Sequence, residues 1–160
     1  MSKAAERPRS EPQASEDSSG LKRFPILADL SESEREAIAE ELEEAVVERG
    51  ARLFSEGEEG GSLWLLLEGR VRVASERHGV ATELGAGEAL GALSLAGGPR
   101  RASIETLSRC RLLRLGREGF HRLAANDPPV TARLLESIAR EAGRRADAAL
   151  AARLRADSDR

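Results

Sequence analysis

Short apolar runs that end near glycine are the feature of this sequence that most restricts its fold. Between Val46 and Gly116 these runs are too short to form helices with a continuous buried stripe. Residues 63–67 are apolar throughout, as in a strand buried on both faces, whereas residues 71–73 alternate as a half-buried strand does. Several short strands at this spacing predict a small sandwich or a barrel-like roll.

Helical patterns flank this strand-rich region on both sides. Ser31 is followed three residues later by Glu34, which is a capping-box pattern, and the apolar spacing then predicts a helix over residues 32–46. After Gly116 the period becomes helical again, and a long helix is predicted over residues 131–156. We therefore expect an α+β protein that is mainly β, with N-terminal helices and a long C-terminal helix.

The long C-terminal helix carries more apolar surface than one small domain needs to cover. This stripe favours a partner helix, and hence a homodimer or a protein partner, but a helix that lies on the roll with a frayed tail stays open. Its arginines alternate with acidic residues and lack aromatic neighbours, which favours a solvated face over a nucleic-acid surface. The stripe consists of Leu134, Leu135, Ile138, Ala142, Ala149, Leu150 and Leu154.

Composition excludes several classes of function. The formal net charge of −3 does not favour a nucleic-acid surface, and no apolar run approaches the ~18 residues of a membrane span. The single cysteine, Cys110, and the lack of an apolar signal core at the N-terminus predict a cytoplasmic protein. No metal-ligand spacing and no nucleophile–base arrangement is present, so we expect neither a metal site nor an enzyme. Residues 1–20 lack apolar periodicity and are predicted to be a disordered tail.

The stretch from residue 87 to residue 104 has the design of a phosphate cradle. Glycines end a strand-like run, residues 92–95 are long enough for one helical turn, and a Gly-Gly-Pro turn then leads to Arg100 and Arg101. The first turn of a helix leaves backbone N–H groups without partners, and an arginine from a nearby loop can fork onto an oxyanion. This order of elements predicts an anion site.

The same stretch resembles the phosphate-binding cassette of the cyclic nucleotide-binding domains. An upstream block of glycines and apolar residues is also similar to this family, which places the resemblance over residues 21–142. It implies an antiparallel, jelly-roll-like β-roll with N-terminal helices and a long C-terminal helix, of which residues 143–160 form an extension. The positions that match are Gly57, Gly60, Trp64 (for tyrosine), Gly69, Val71 and Val73 upstream, and Gly91, Leu93, Leu95, Pro99, Arg100, Ala102 and Ile104 in the cassette.

The resemblance also implies a ligand and a set of residues that bind it. The ligand would be cAMP or cGMP, with Arg100 on the cyclic phosphate; Arg101 follows Arg100, and strand alternation would aim it to the opposite side unless a loop brings it round. Ala92 occupies the position where the family has a glutamate on the ribose 2′-hydroxyl, and losing that bond costs roughly 1.5–3 kcal/mol. The backbone that would line the anion site belongs to Gly91, Ala92, Leu93 and Ala102.

Two functions remain open at this point. The first is a regulatory module that binds a cyclic nucleotide or a related phosphate ligand and relays a conformational change to a partner protein. The second is a degenerate family member that has lost the ligand and serves as an interaction or dimerisation scaffold. An Arg100 paired with a surface carboxylate would favour the scaffold. The chain stops where transcription factors of the catabolite activator type would begin a helix-turn-helix domain, so we do not expect direct DNA recognition.

Overall fold

The computed structural model describes residues 18–159 and consists of two four-stranded sheets with flanking helices. Every strand pairing is antiparallel, with strand orders β1-β8-β3-β6 and β2-β7-β4-β5. The predicted antiparallel β-roll with helices at both ends is therefore confirmed. The strands are β1 (Leu42–Val47), β2 (Arg52–Phe54), β3 (Leu63–Glu68), β4 (Arg70–Ser75), β5 (Val80–Gly85), β6 (Ala89–Leu90), β7 (Ser103–Thr106) and β8 (Cys110–Leu115), and the helices are α1 (Pro25–Ala28), α2 (Glu32–Ala39), α3 (Arg117–Asn126), α4 (Pro128–Ser158) and two 3₁₀ turns, Ser18–Arg23 and Ala92–Ser94.

Strand β3 shows how the two halves of the core are arranged. Leu63, Leu65 and Leu67 pack with the helices, whereas Trp64 and Leu66 pack with buried residues from both sheets. Because successive side chains of a strand point to opposite faces, a strand covered on both sides must be apolar throughout. This double burial accounts for the uninterrupted apolar run in the sequence.

The helix predicted over residues 32–46 is wrong in its second half. Ser31 caps the helix as expected, with the reciprocal bond from Glu34, but α2 ends at Ala39 and β1 begins at Leu42. Residues 42–47 pair in full register with β8, which buries Ala45 and Val47 on alternate positions. Pairing and burial outweigh the helical preference of the glutamates in this segment.

The start of the last helix also differs from the prediction. It begins at Pro128 rather than at residue 131, because Asp127 caps it by accepting a hydrogen bond from the Val130 backbone N–H at 3.3 Å. The two prolines occupy its first two positions, where a missing N–H costs no internal hydrogen bond. The helix then runs without a break to Ser158, across the predicted boundary at residue 142.

The N-terminal helices are fastened to the roll through α4 and α2. The Ser137 hydroxyl donates to the Ile26 carbonyl at 2.6 Å, and the buried Arg35 side chain donates to the carbonyls of Leu27, in α1, and Leu30, just after it. Of the predicted N-terminal tail, residues 1–17 lie outside the described part of the chain, and residues 18–20 belong to the first 3₁₀ turn. No helix within residues 18–159 is long and apolar enough to cross a membrane.

Candidate ligand-binding site

A cavity of about 220 Å³ opens between the second sheet, the segment 91–102 and helix α4. We call it the cassette cavity. Its walls are apolar on the sheet side, where the side chains of Phe54, Val73, Leu84, Leu90 and Ile104 line it. An apolar cavity with a few polar groups at one side is the usual form of a small-molecule site.

All six residues that the sequence places in a ligand site line this one cavity: Gly91, Ala92, Leu93, Arg100, Arg101 and Ala102. Arg100 is only 5% exposed, whereas Leu93 is 53% exposed. Arg101 is not turned to the opposite side by strand alternation, because β7 begins only at Ser103 and the arginine lies in the preceding loop. Both arginines therefore line the cavity, because the loop before β7 turns Arg101 toward it.

The Arg100 guanidinium is held in a cradle of oxygen atoms. Its Nη1 donates to the Ser62 carbonyl at 2.8 Å, to the Ser94 hydroxyl at 2.9 Å and to the Gly91 carbonyl at 3.1 Å. Its Nη2 donates to the Ser62 hydroxyl at 2.7 Å, and the guanidinium carbon lies 4.1 Å from the centre of the Phe54 ring. These contacts fix the side chain before any ligand arrives.

The positive charge of Arg100 is buried, and no carboxylate in the described part of the chain contacts it directly. None of its hydrogen-bond partners is a carboxylate, and burial lowers the pKa of the guanidinium, with the Glu58 charge acting in the opposite direction. An arginine still stays protonated at neutral pH. A buried charge that lacks a partner is costly, so this site favours an anion.

The two glycine blocks recognised in the sequence pack against each other. Gly91 has φ +77°, and a Cβ there would lie 2.4 Å from Nη1 of Arg100. A Cβ on Gly60 would lie 2.3 Å from the Ser94 carbonyl oxygen. Backbone bonds join the same segments, since the N–H of Gly61 donates to the Ser94 carbonyl and the N–H of Arg100 donates to the Glu58 carbonyl. The turn 57–61 therefore braces the cassette, and only glycine fits at these contacts.

Helix α4 covers the cavity with one of its faces. Ile138, Glu141, Ala142 and Arg145 line the cavity, at the spacing that places residues on one side of a helix. Arg145 Nη2 also donates to Glu88 Oε2 at 2.6 Å, which ties the helix to the turn before β6. The charge pattern of the helix predicts a solvated face, and Arg145 is 52% exposed whereas Glu141 is 17% exposed. Neither residue was identified as a cavity residue from the sequence. The signal that could have found them is that they continue the helical stripe of Ile138.

Comparisons with known proteins agree with this geometry. The family model for the cyclic nucleotide-binding domain matches residues 44–127, which is just over half of the chain. The chain belongs to the cyclic nucleotide-binding domain family. The resemblance stated from the sequence is thereby confirmed, and this is a family of regulatory domains rather than of enzymes.

Three relatives illustrate the match. The cAMP-dependent protein kinase regulatory subunit of Yarrowia lipolytica is 35% identical over 105 residues, covering 64% of this chain and 28% of that protein. The N-terminal domain of a transcriptional regulator from Streptomyces coelicolor A3(2) has a TM-score of 0.64 at 32% identity, with 80% of this chain and 95% of that chain covered. The catabolite activator protein of Thermus thermophilus has a TM-score of 0.63 at 28% identity, with 79% and 61% covered. The chain spans about a quarter of the length of the kinase regulatory subunits that it matches.

Proposed function

We propose that this chain is a regulatory module that binds a cyclic nucleotide, with cAMP as the first candidate, in the cassette cavity. The observation that carries the proposal is the cradled, buried Arg100, whose charge has no carboxylate partner within residues 18–159. Family membership supports the ligand class, and the name of the Yarrowia relative supports cAMP.

The cavity has a positively charged part and an apolar wall, which suit the two parts of such a ligand. Arg100 and Arg101 supply positive charge for the cyclic phosphate, and the guanidinium fork of arginine matches phosphate oxygens. The apolar wall formed by Val73, Leu84 and Ile104 suits the flat face of a base. In this pose the ligand lies beneath α4, so that its arrival alters the contacts of Ile138 and Arg145.

The relay to a partner would therefore run through α4. A ligand can shift an equilibrium between two conformations only by contacting them differently, and α4 is the helix that both lines the cavity and extends beyond it. The proposed output is a change in the position of α4 that a protein partner senses.

We propose that the distal part of α4 contacts a second copy of the chain. Leu150 and Leu154 are 57% and 58% exposed and lie one helical turn apart, so they form an apolar stripe that residues 18–159 leave accessible. Sedimentation velocity over a range of concentrations is expected to show a dimer that Leu150→Glu combined with Leu154→Glu converts to a monomer. A wild-type protein that is monomeric at all concentrations would contradict the dimer.

Thermal unfolding of the full chain with cAMP, cGMP or inorganic phosphate tests the ligand proposal. At a hundred times its dissociation constant, a specific ligand stabilises the fold by about 2.7 kcal/mol, which raises the melting temperature by several degrees. We expect the shift with a cyclic nucleotide and its loss in Arg100→Ala. Absence of a shift for wild type at millimolar cAMP and cGMP would instead identify a scaffold that has lost the ligand.

A further inference from the structure

Within the described part of the chain, one carboxylate lines the cassette cavity. Among the described residues that line it, the charged groups are three arginines and Glu141, and Glu141 comes from α4 rather than from the cassette. The other lining side chains are apolar apart from the Ser94 hydroxyl, which already accepts from Arg100. The cavity therefore has cationic groups that suit an anion, and it has one anionic group that comes from α4 instead of the cassette.

The Glu141 carboxylate is held in a defined position. Its Oε2 accepts from Arg144 at 3.0 Å (Nε) and 2.6 Å (Nη2), and its Oε1 accepts from Arg145 Nε at 3.4 Å. The Glu141 side chain is only 17% exposed, whereas the two arginines are each 52% exposed. Arg145 in turn forms an ion pair with Glu88 at 2.6 Å. These contacts hold the carboxylate in place.

The carboxylate still has room for one more donor. An ionised carboxylate has about four lone-pair sites and accepts only, and the two arginines use three of them. The hydrogen bonds from Arg144, ahead of the one from Arg145, hold the pKa of Glu141 below its usual range, so the group stays ionised at neutral pH. The site left on Oε1 suits a hydroxyl and repels a second anion.

We propose that Glu141 recognises the ribose of the bound nucleotide by accepting a hydrogen bond from its 2′-hydroxyl. The inference rests on the proposed function. In a cyclic nucleotide the phosphate closes a ring through the 3′ and 5′ oxygens, so the 2′-hydroxyl is the one hydroxyl donor that the ligand carries. With the phosphate on Arg100, the hydroxyl meets the one ionised acceptor of the cavity, and repulsion by Glu141 excludes the reversed orientation.

This assignment also explains how the chain can recognise ribose although Ala92 has no polar side chain. The hydroxyl contact is made by α4, so the part of the ligand that decides specificity is bound by the same helix that covers the cavity. A ligand without the hydroxyl would contact the cassette but not the carboxylate of α4.

The test compares the affinities of cAMP and 2′-deoxy-cAMP for the full chain by isothermal titration calorimetry, in wild type, Glu141→Ala and Glu136→Ala. Glu136 is the matched control, an exposed glutamate of the same helix that does not line the cavity. We expect wild type and Glu136→Ala to prefer cAMP by about ten- to a hundredfold, since the bond has a charged acceptor. In Glu141→Ala the two ligands are expected to bind equally.

A purely structural role of Glu141 would lower both affinities by the same factor and leave their ratio unchanged, which would overturn the inference. Equal binding of the two ligands by wild type would overturn it as well, while leaving the proposed function intact. Failure of wild type to bind either ligand would refute the proposed function, and this inference with it.

Discussion

Replacing Gly91 by alanine is expected to lower the free energy of unfolding by about 2–5 kcal/mol and to remove cAMP binding. A left-handed backbone costs a residue with a Cβ about 1–2 kcal/mol, and overpacking typically costs about 1–3 kcal/mol more. At φ +77° the new Cβ would lie 2.4 Å from Arg100 Nη1 and 3.1 Å from the Phe54 ring. The guanidinium must leave its cradle, and the cavity then loses its buried positive charge.

Gly50→Ala is the matched control for this substitution. Gly50 has φ +84°, but a Cβ there meets nothing within 4 Å, so only the backbone term of about 1–2 kcal/mol is expected. Urea denaturation measures the two losses, and titration with cAMP shows whether Gly50→Ala keeps the wild-type affinity. Equal losses for both variants, with binding retained in Gly91→Ala, would show that the contact with Arg100 is not what requires glycine.

Replacing Leu134 by alanine is expected to destabilise the protein by about 2–5 kcal/mol, the range for a buried leucine. Leu134 is fully buried and lies on α4 within the cluster that joins the helices to the outer face of the first sheet. The loss combines the apolar area returned to water with the void that remains in the cluster, which also contains Phe24 and Leu113.

Leu150→Ala is the matched control, because it makes the same chemical change on the same helix. The Leu150 side chain is 57% exposed, so its removal is expected to alter the free energy of unfolding by less than about 0.5 kcal/mol. Urea denaturation of both variants at low protein concentration provides the comparison. A small loss for Leu134→Ala would mean that α4 does not anchor the roll. A large loss for Leu150→Ala that grows with protein concentration would show that this leucine is buried between two copies.

The fold could be predicted because the strands leave a local signature. The alternation of apolar residues and the glycines at the corners depend on backbone geometry alone, and they mark the central strands and the cassette. Strand β1 could not be predicted in this way, because Glu43 and Glu44 resemble a solvated helix surface. Its pairing with β8, including the ion pair between Glu44 and Arg111 at 2.8 Å, depends on a segment about seventy positions away in sequence.

The residues of the candidate site fall into the same two groups, those that a local pattern predicts and those that depend on distant contacts. Residues of the cassette are neighbours in sequence, so their common cavity followed from the motif. Ser62, which supplies two acceptors of the Arg100 cradle, and Glu141, which lines the cavity, are brought to the site only by tertiary packing. The helical spacing shows which residues share a face with Ile138. It does not show that this face of α4 packs over the cassette. That packing is set by the contacts of α4 with α1 and α3.

Helix α4 also has a mechanical consequence that follows from its length. It comprises 31 residues and contains no proline beyond its first two positions, so it behaves as a stiff rod. Its end at Ser158 lies about 25 Å along the axis from Glu141, at about 1.5 Å per residue. A tilt of about 10° pivoting at the cavity would therefore carry that end through about 4 Å. Such a displacement would be large enough to make or break a contact at the end of the helix.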